Sequence, residues 1–160
     1  MHTTKNNLAE AIRTEMVQLL NMRLADALDL FAQAKQAHWN VKGPHFIALH
    51  ELFDTVAGHV AEFADLLAER AVQLGGVAEG TCQVVAERTS LKSYPRTMTA
   101  GRDHVDALSS ALADFAGTVR AAIDMADGRG DQGTADLFTE ISREADKDVW
   151  FLEAHLHGER

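Results

Sequence analysis

HFIALHELFDTVAGHVAEFADLLAERAVQL, residues 45–74, is the stretch whose pattern decides the fold. Phe46, Leu49, Phe53, Val56, Val60, Phe63, Leu67 and Leu74 recur at alternating steps of three and four, with Ala71 filling the one gap. That spacing predicts a single long helix with one buried stripe. Gly43-Pro44 is placed to open it, and Gly75-Gly76 stops it.

The same stretch carries chemistry. At about 100° per residue, His50, Asp54, Asp65 and Glu69 lie on one flank beside the apolar stripe. They share a face but not a place. Fifteen residues separate His50 from Asp65, about 22 Å along a helix axis, whereas ligands sit about 2–2.5 Å from a metal ion. One straight helix therefore cannot close a site from all four. Two copies packed antiparallel about a two-fold axis would bring the His50/Asp54 end of one to the Asp65/Glu69 end of the other, twice over. His38, at the end of the preceding helix, completes the first half. Imidazoles with several carboxylates and no thiolate suit iron, manganese or zinc, and the carboxylate-rich set favours iron.

Outward from this helix the chain reads as all-α. Residues 8–37 hold Ile12, Met16, Leu20, Leu24, Ala27, Leu28 and Phe31 at helical spacing, without Gly or Pro. A third long helix is expected from about Thr99, with Leu108, Leu112, Phe115, Val119 and Ile123 on one side, stopping at Gly128-Arg129-Gly130. A fourth runs from about Thr134 through Leu137, Ile141, Ala145, Val149 and Leu152 to near Gly158. The connection from Gly75-Gly76 to Pro95 contains a short apolar piece, 82–87, long enough for one or two helical turns. The expectation is a four-helix bundle with a short helix in the long second-to-third connection, one domain over 8–158 after a tail of residues 1–7.

With 160 residues, 46% of them hydrophobic, the chain has the material for one core. Met1 to Glu10 hold no apolar run, and no stretch approaches the ~20 apolar residues of a membrane span, so a cytoplasmic protein is expected. Cys82 is the sole cysteine, which excludes an internal disulfide and a thiolate cage. It reads as a free thiol, buried or semi-exposed.

The stretches Lys35-Gln36-Ala37-His38-Trp39-Asn40-Val41-Lys42-Gly43-Pro44, Leu49-His50-Glu51-Leu52-Phe53-Asp54, Asp65-Leu66-Leu67-Ala68-Glu69-Arg70 and Lys147-Asp148-Val149-Trp150-Phe151-Leu152-Glu153-Ala154-His155 resemble the Dps family of ferritin-like mini-ferritins over nearly the whole chain. The resemblance implies a ferritin-like bundle and a ferroxidase centre at a dimer interface, with His38, His50 and Asp54 from one subunit and Asp65 and Glu69 from its partner. It implies oxidation of Fe(II), hydrogen peroxide preferred to dioxygen, and a ferric mineral stored inside a hollow dodecamer, with zinc a competitor for the site. It also places Asp131, Asp136 and Glu140 along a three-fold pore, where rings of carboxylates guide cations. For Asp131 and Asp136, acids suited to a helix N-terminus are the alternative. Trp39, next to a ligand, either takes up a stray oxidising equivalent or only packs at the interface.

Two features set limits. Ordinary ferritins build their di-iron site inside one chain from a Glu and an Glu-x-x-His motif on facing helices. No such motif occurs here, since His155 and His157 follow Glu153 at the wrong spacing. The alternative function, nucleoid binding through a Lys-rich tail, has thin support: residues 1–7 hold one Lys, and the formal net charge is −9. DNA affinity grows with the phosphates neutralised, so weak or absent binding is expected.

Overall fold

The structure is a computed structural model and describes residues 1–157. It contains α1 (Glu10–Asn40), α2 (Phe46–Gln73), α3 (Cys82–Arg88), α4 (Gly101–Gly128) and α5 (Gln132–Ala154), with no strand among the described residues. α1 packs on α2 and α4 on α5, giving two helical hairpins. The long connection through α3, which lies against α1, joins them into an all-α four-helix bundle.

One continuous core fills the bundle. Met16, Leu20 and Leu30 of α1, Phe53, Val60 and Leu67 of α2, Leu108, Leu112 and Phe115 of α4, and Phe138, Ile141 and Leu152 of α5 are fully buried. Phe63 and Phe115 stack with their ring centroids 6.3 Å apart. The α5 stripe differs from the one expected. Leu137 and Val149 lie on its flank, and the inward phase is Ala135, Phe138, Ile141, Ala145, Asp148 and Leu152. α1 runs three residues beyond the expected end, which sets His38 in its last turn. Phe31 and Phe46, expected in the stripes, are exposed.

α2 and α4 end in the same way. Gly75 Nα donates to the Val72 carbonyl and Gly76 Nα to that of Ala71; Gly130 Nα donates to Asp127 and Asp131 Nα to Ala126. Both are Schellman closures, and Gly75 (φ +86°) and Gly130 (φ +77°) supply the left-handed residue each requires. Within the first seven residues, His2 Nα donates to the Gly75 carbonyl at 2.6 Å, at the end of α2. The expected boundary near Gly158 lies outside the described residues.

Buried polar groups fasten the crossover. The Asn21 amide donates to the Val77 carbonyl and its oxygen accepts from Glu79 Nα, both at 2.9 Å. Asp26, fully buried, accepts from Ser90 Nα and Oγ and pairs with Arg23. The Tyr94 hydroxyl hydrogen bonds to His104 Nδ1 at 2.8 Å where the end of the connection meets α4. Burial pushes the Tyr94 pKa up and the His104 pKa down, so both stay neutral at pH 7. Cys82 is exposed.

Asp131 takes the helix N-terminal place offered as its alternative. It sits at 2% exposure, following the close of α4 and capping α5, with Thr134 Nα and Oγ1 donating to its carboxylate. Arg70 of α2 pairs with it at 2.8 Å and donates from Nε to Thr134 Oγ1. With both oxygens engaged by Thr134 and Arg70, this carboxylate serves within the chain as the cap of α5. Arg70→Ala leaves it buried and unpaired, which should lower the unfolding free energy by about 3 kcal/mol in urea denaturation. A loss under about 1 kcal/mol would show the pair to be dispensable.

Candidate metal centre

The structure brings three of the five expected ligands together. His38, in the last turn of α1, and His50, in the second turn of α2, stack with their ring centroids 3.7 Å apart and planes inclined by 22°. Each ring is held by the other's backbone. His38 Nδ1 hydrogen bonds to the His50 carbonyl at 2.8 Å, and His50 Nδ1 to the His38 carbonyl at 2.9 Å. A carbonyl oxygen only accepts, so each Nδ1 must carry the proton. In the neutral ring Nε2 then carries the lone pair that binds metal, and the backbone bond fixes its direction.

Asp54 lies one turn beyond His50, its carboxylate 54% exposed and 4.0 Å from His38 Nδ1. Lys35 Nζ donates to Asp54 Oδ1 at 2.5 Å. That hydrogen bond is the largest influence, and with the ammonium charge and the two histidines it outweighs the opposing effect of burial and holds the Asp54 pKa below the usual carboxylate range. The group is therefore anionic at neutral pH. The role of Lys35 is not evident from residue type alone; its place one turn before His38, on the same side of α1, is the sequence signal for it.

Asp65 and Glu69 are elsewhere. Both are exposed on the later turns of α2, and neither forms a hydrogen bond or ion pair with the described residues. Fifteen residues of unbroken helix keep Asp65 about 22 Å from His50. The single chain thus presents two half-sets, one with two imidazoles and a carboxylate, the other with two unpartnered carboxylates. Trp39 is 67% exposed beside the first, and Phe46, whose ring centroid lies 5.0 Å from that of His50, and Ile47 are exposed near it. Asp136 and Glu140 are exposed on α5. Arg70, adjacent to Glu69, went unmarked because its partner lies sixty-one residues away; it ties the acidic end of α2 to α5.

This bundle, with its long crossover and its histidine and carboxylate half-sets, is that of a ferritin-like domain, and residues 17–160 match the family model of that description. The chain is 48% identical over 155 residues to the "DNA protection during starvation protein" of Agrobacterium fabrum, spanning 97% of this chain and 96% of that one. The solved Dps of Microbacterium arborescens in its high iron form superimposes with a TM-score of 0.86 at 37% identity, covering 96% of this chain and 97% of its own. That of Mycobacterium smegmatis does so with a TM-score of 0.92 at 29% identity, covering 98% and 95%. The chain belongs to the Dps family.

The reciprocal backbone bonds predict one tautomer for both rings. Nitrogen NMR of the imidazoles at mildly alkaline pH should show Nδ1 protonated and Nε2 bare in His38 and His50. A proton on Nε2 of either ring would contradict the geometry.

Proposed function

We propose that this protein is a ferroxidase and iron store whose centre forms between two subunits, from His38, His50 and Asp54 of one and Asp65 and Glu69 of the other. The single observation that carries the reading is the separation along α2 of His50 and Asp54, joined by His38 of α1, from Asp65 and Glu69, too far apart to serve one ion. Two lone pairs aimed by the backbone, one carboxylate held anionic and two carboxylates without partners suit a ferrous ion as substrate. Exposed Trp39, Phe46 and Ile47 beside the histidines supply apolar surface for a two-fold contact to bury.

Ferrous iron arrives at neutral imidazoles and anionic oxygens. Lys35 gives up Asp54 as the incoming cation takes its place. Carboxylates stabilise the added charge of the ferric product, so the residues favour loss of an electron. Two ferrous ions supply one electron each to hydrogen peroxide, the preferred oxidant; its O–O bond breaks, and with two protons it leaves as two waters. Consuming peroxide and ferrous iron together suppresses hydroxyl-radical formation and protects the cell from oxidative damage. Product accumulates as ferric mineral inside a hollow assembly, a dodecamer as the family resemblance implies. Asp136 and Glu140, exposed on α5, suit a cation entry path. Zinc, which accepts the same donors, competes for the centre.

Complementation tests the shared centre. A His50→Ala/Asp54→Ala chain and an Asp65→Ala/Glu69→Ala chain should each fail to oxidise ferrous iron with peroxide, followed by ultraviolet absorbance. Each mixed dimer regains one intact centre of two, so random co-assembly should restore about a quarter of the wild-type rate. No recovery in verified mixed assemblies would place the centre within one chain.

The second reading, DNA binding, is favoured by the name of the Agrobacterium relative. In this chain the first seven residues carry one Lys, His2 is bonded to the end of α2, and the net charge is −9. We propose weak or absent DNA binding in a protein that is cytoplasmic and reaches the nucleoid only if DNA is bound. A duplex mobility shift surviving physiological salt would reverse this.

A further inference from the structure

A second group of donors lies on the opposite side of α2. His59 follows His50 by nine residues, about 180° around the helix, and so faces away from the histidine pair. It meets Glu144 and Asp148, one turn apart on α5. Its Nδ1 stands 3.0 Å from both Asp148 oxygens and 3.8 Å from Glu144 Oε1, and one donor atom from each residue lies within 4.8 Å of the others.

One Nδ1–H shared between the Asp148 oxygens accounts for the 3.0 Å contacts but leaves Glu144 Oε1, at 3.8 Å, beyond hydrogen-bonding reach. Nδ1 carries one proton at most, yet three carboxylate oxygens converge on it. The Asp148 side chain is 1% exposed and occupies a core position of α5 between Ala145 and Leu152, where a lone carboxylate is costly. Burial raises its pKa despite the hydrogen bond from His59, and the negative Glu144 adds to the rise. Lys147 donates to Glu144 Oε1 at 2.9 Å and holds that carboxylate below its ordinary pKa, but both side chains are partly or largely exposed at this point. At the buried end, His59 and the more distant Lys147 are the positive groups acting on Asp148, and they do not offset its burial. Metal–ligand bonds of about 2.1 Å at tetrahedral angles put donor atoms about 3.4 Å apart, between the two spacings observed. His59 and Glu144 also border a depression of about 320 Å³ with Glu62, Glu140 and Arg143, which gives an ion a way in.

We infer that His59, Glu144 and Asp148 form a second metal site, held within one chain at the seam of α2 and α5, for one divalent transition-metal cation of the Zn2+, Fe2+ or Mn2+ class. One imidazole and two carboxylates are a borderline-to-hard donor set, and His59 binds through Nδ1 in its neutral form. The ion neutralises the buried Asp148 and cross-links the two hairpins, while a water completes its coordination. Nothing in this site depends on the inter-subunit centre.

Zinc distinguishes the two. In metal-free His50→Ala/Asp54→Ala/Asp65→Ala/Glu69→Ala protein, calorimetric titration with Zn2+ should give one site per chain. Anomalous diffraction at the zinc edge should place the ion within bonding distance of His59 Nδ1. Adding His59→Gln or Glu144→Gln, both at partly exposed positions that spare the core, should weaken binding about 100-fold, as loss of a ligand does. Absence of zinc at Nδ1, or an affinity unchanged in both variants, would reduce the trio to an ion pair and overturn the inference.

Discussion

An α-helix advances by a fixed rise and does not fold back, and α2 is the rigid spacer on which the rest depends. Its length sets the two imidazoles and the distal carboxylates at a separation that nothing within one bundle can shorten. Holding such a spacer straight is a packing problem. The apolar stripe through Phe53, Val60 and Leu67 seats it against α1, the Schellman closure at Gly75 ends it, and Arg70 pins its last turn to the start of α5. The acidic half-set therefore sits next to a fixed structural anchor, one residue from the guanidinium that holds the two hairpins in register.

The other faces of the bundle are organised by buried polar groups, each costly alone and each given a partner from another segment of the chain. Asn21 and Asp26 receive the crossover, His104 receives Tyr94, and Asp131 receives Arg70 and Thr134. A bundle of interchangeable amphipathic helices has several packings of similar energy. Polar pairs at single positions leave one, because any other arrangement strands a donor or a charge.

What could be read before the fold was known follows from range. The stripe of α2, its glycine stop and the ligand flank are patterns within thirty residues, and α1, α4 and the short α3 were legible for the same reason. Asp131 was ambiguous because an acid beside a helix N-terminus looks alike whether it caps or faces solvent; only Arg70, sixty-one residues earlier, decides it. Leu137 and Val149 read as α5 core because they are apolar, whereas the inward phase at that end belongs to Asp148, whose charge disguises it. An acid in step with Phe138, Ile141, Ala145 and Leu152 was the available sign that a partner, His59, lay across the seam. Residue type hid what position revealed.

The crossed hydrogen bonds between His38 and His50 have a consequence for how this half of the centre can vary. Each ring takes its orientation from the main chain that carries the other, so any change shifting one carbonyl misaims the opposite lone pair. The two positions form one mechanical unit. Their contributions cannot be graded independently, and drift at either, or at the turn between α1 and α2 that sets their spacing, removes the imidazole half wholesale.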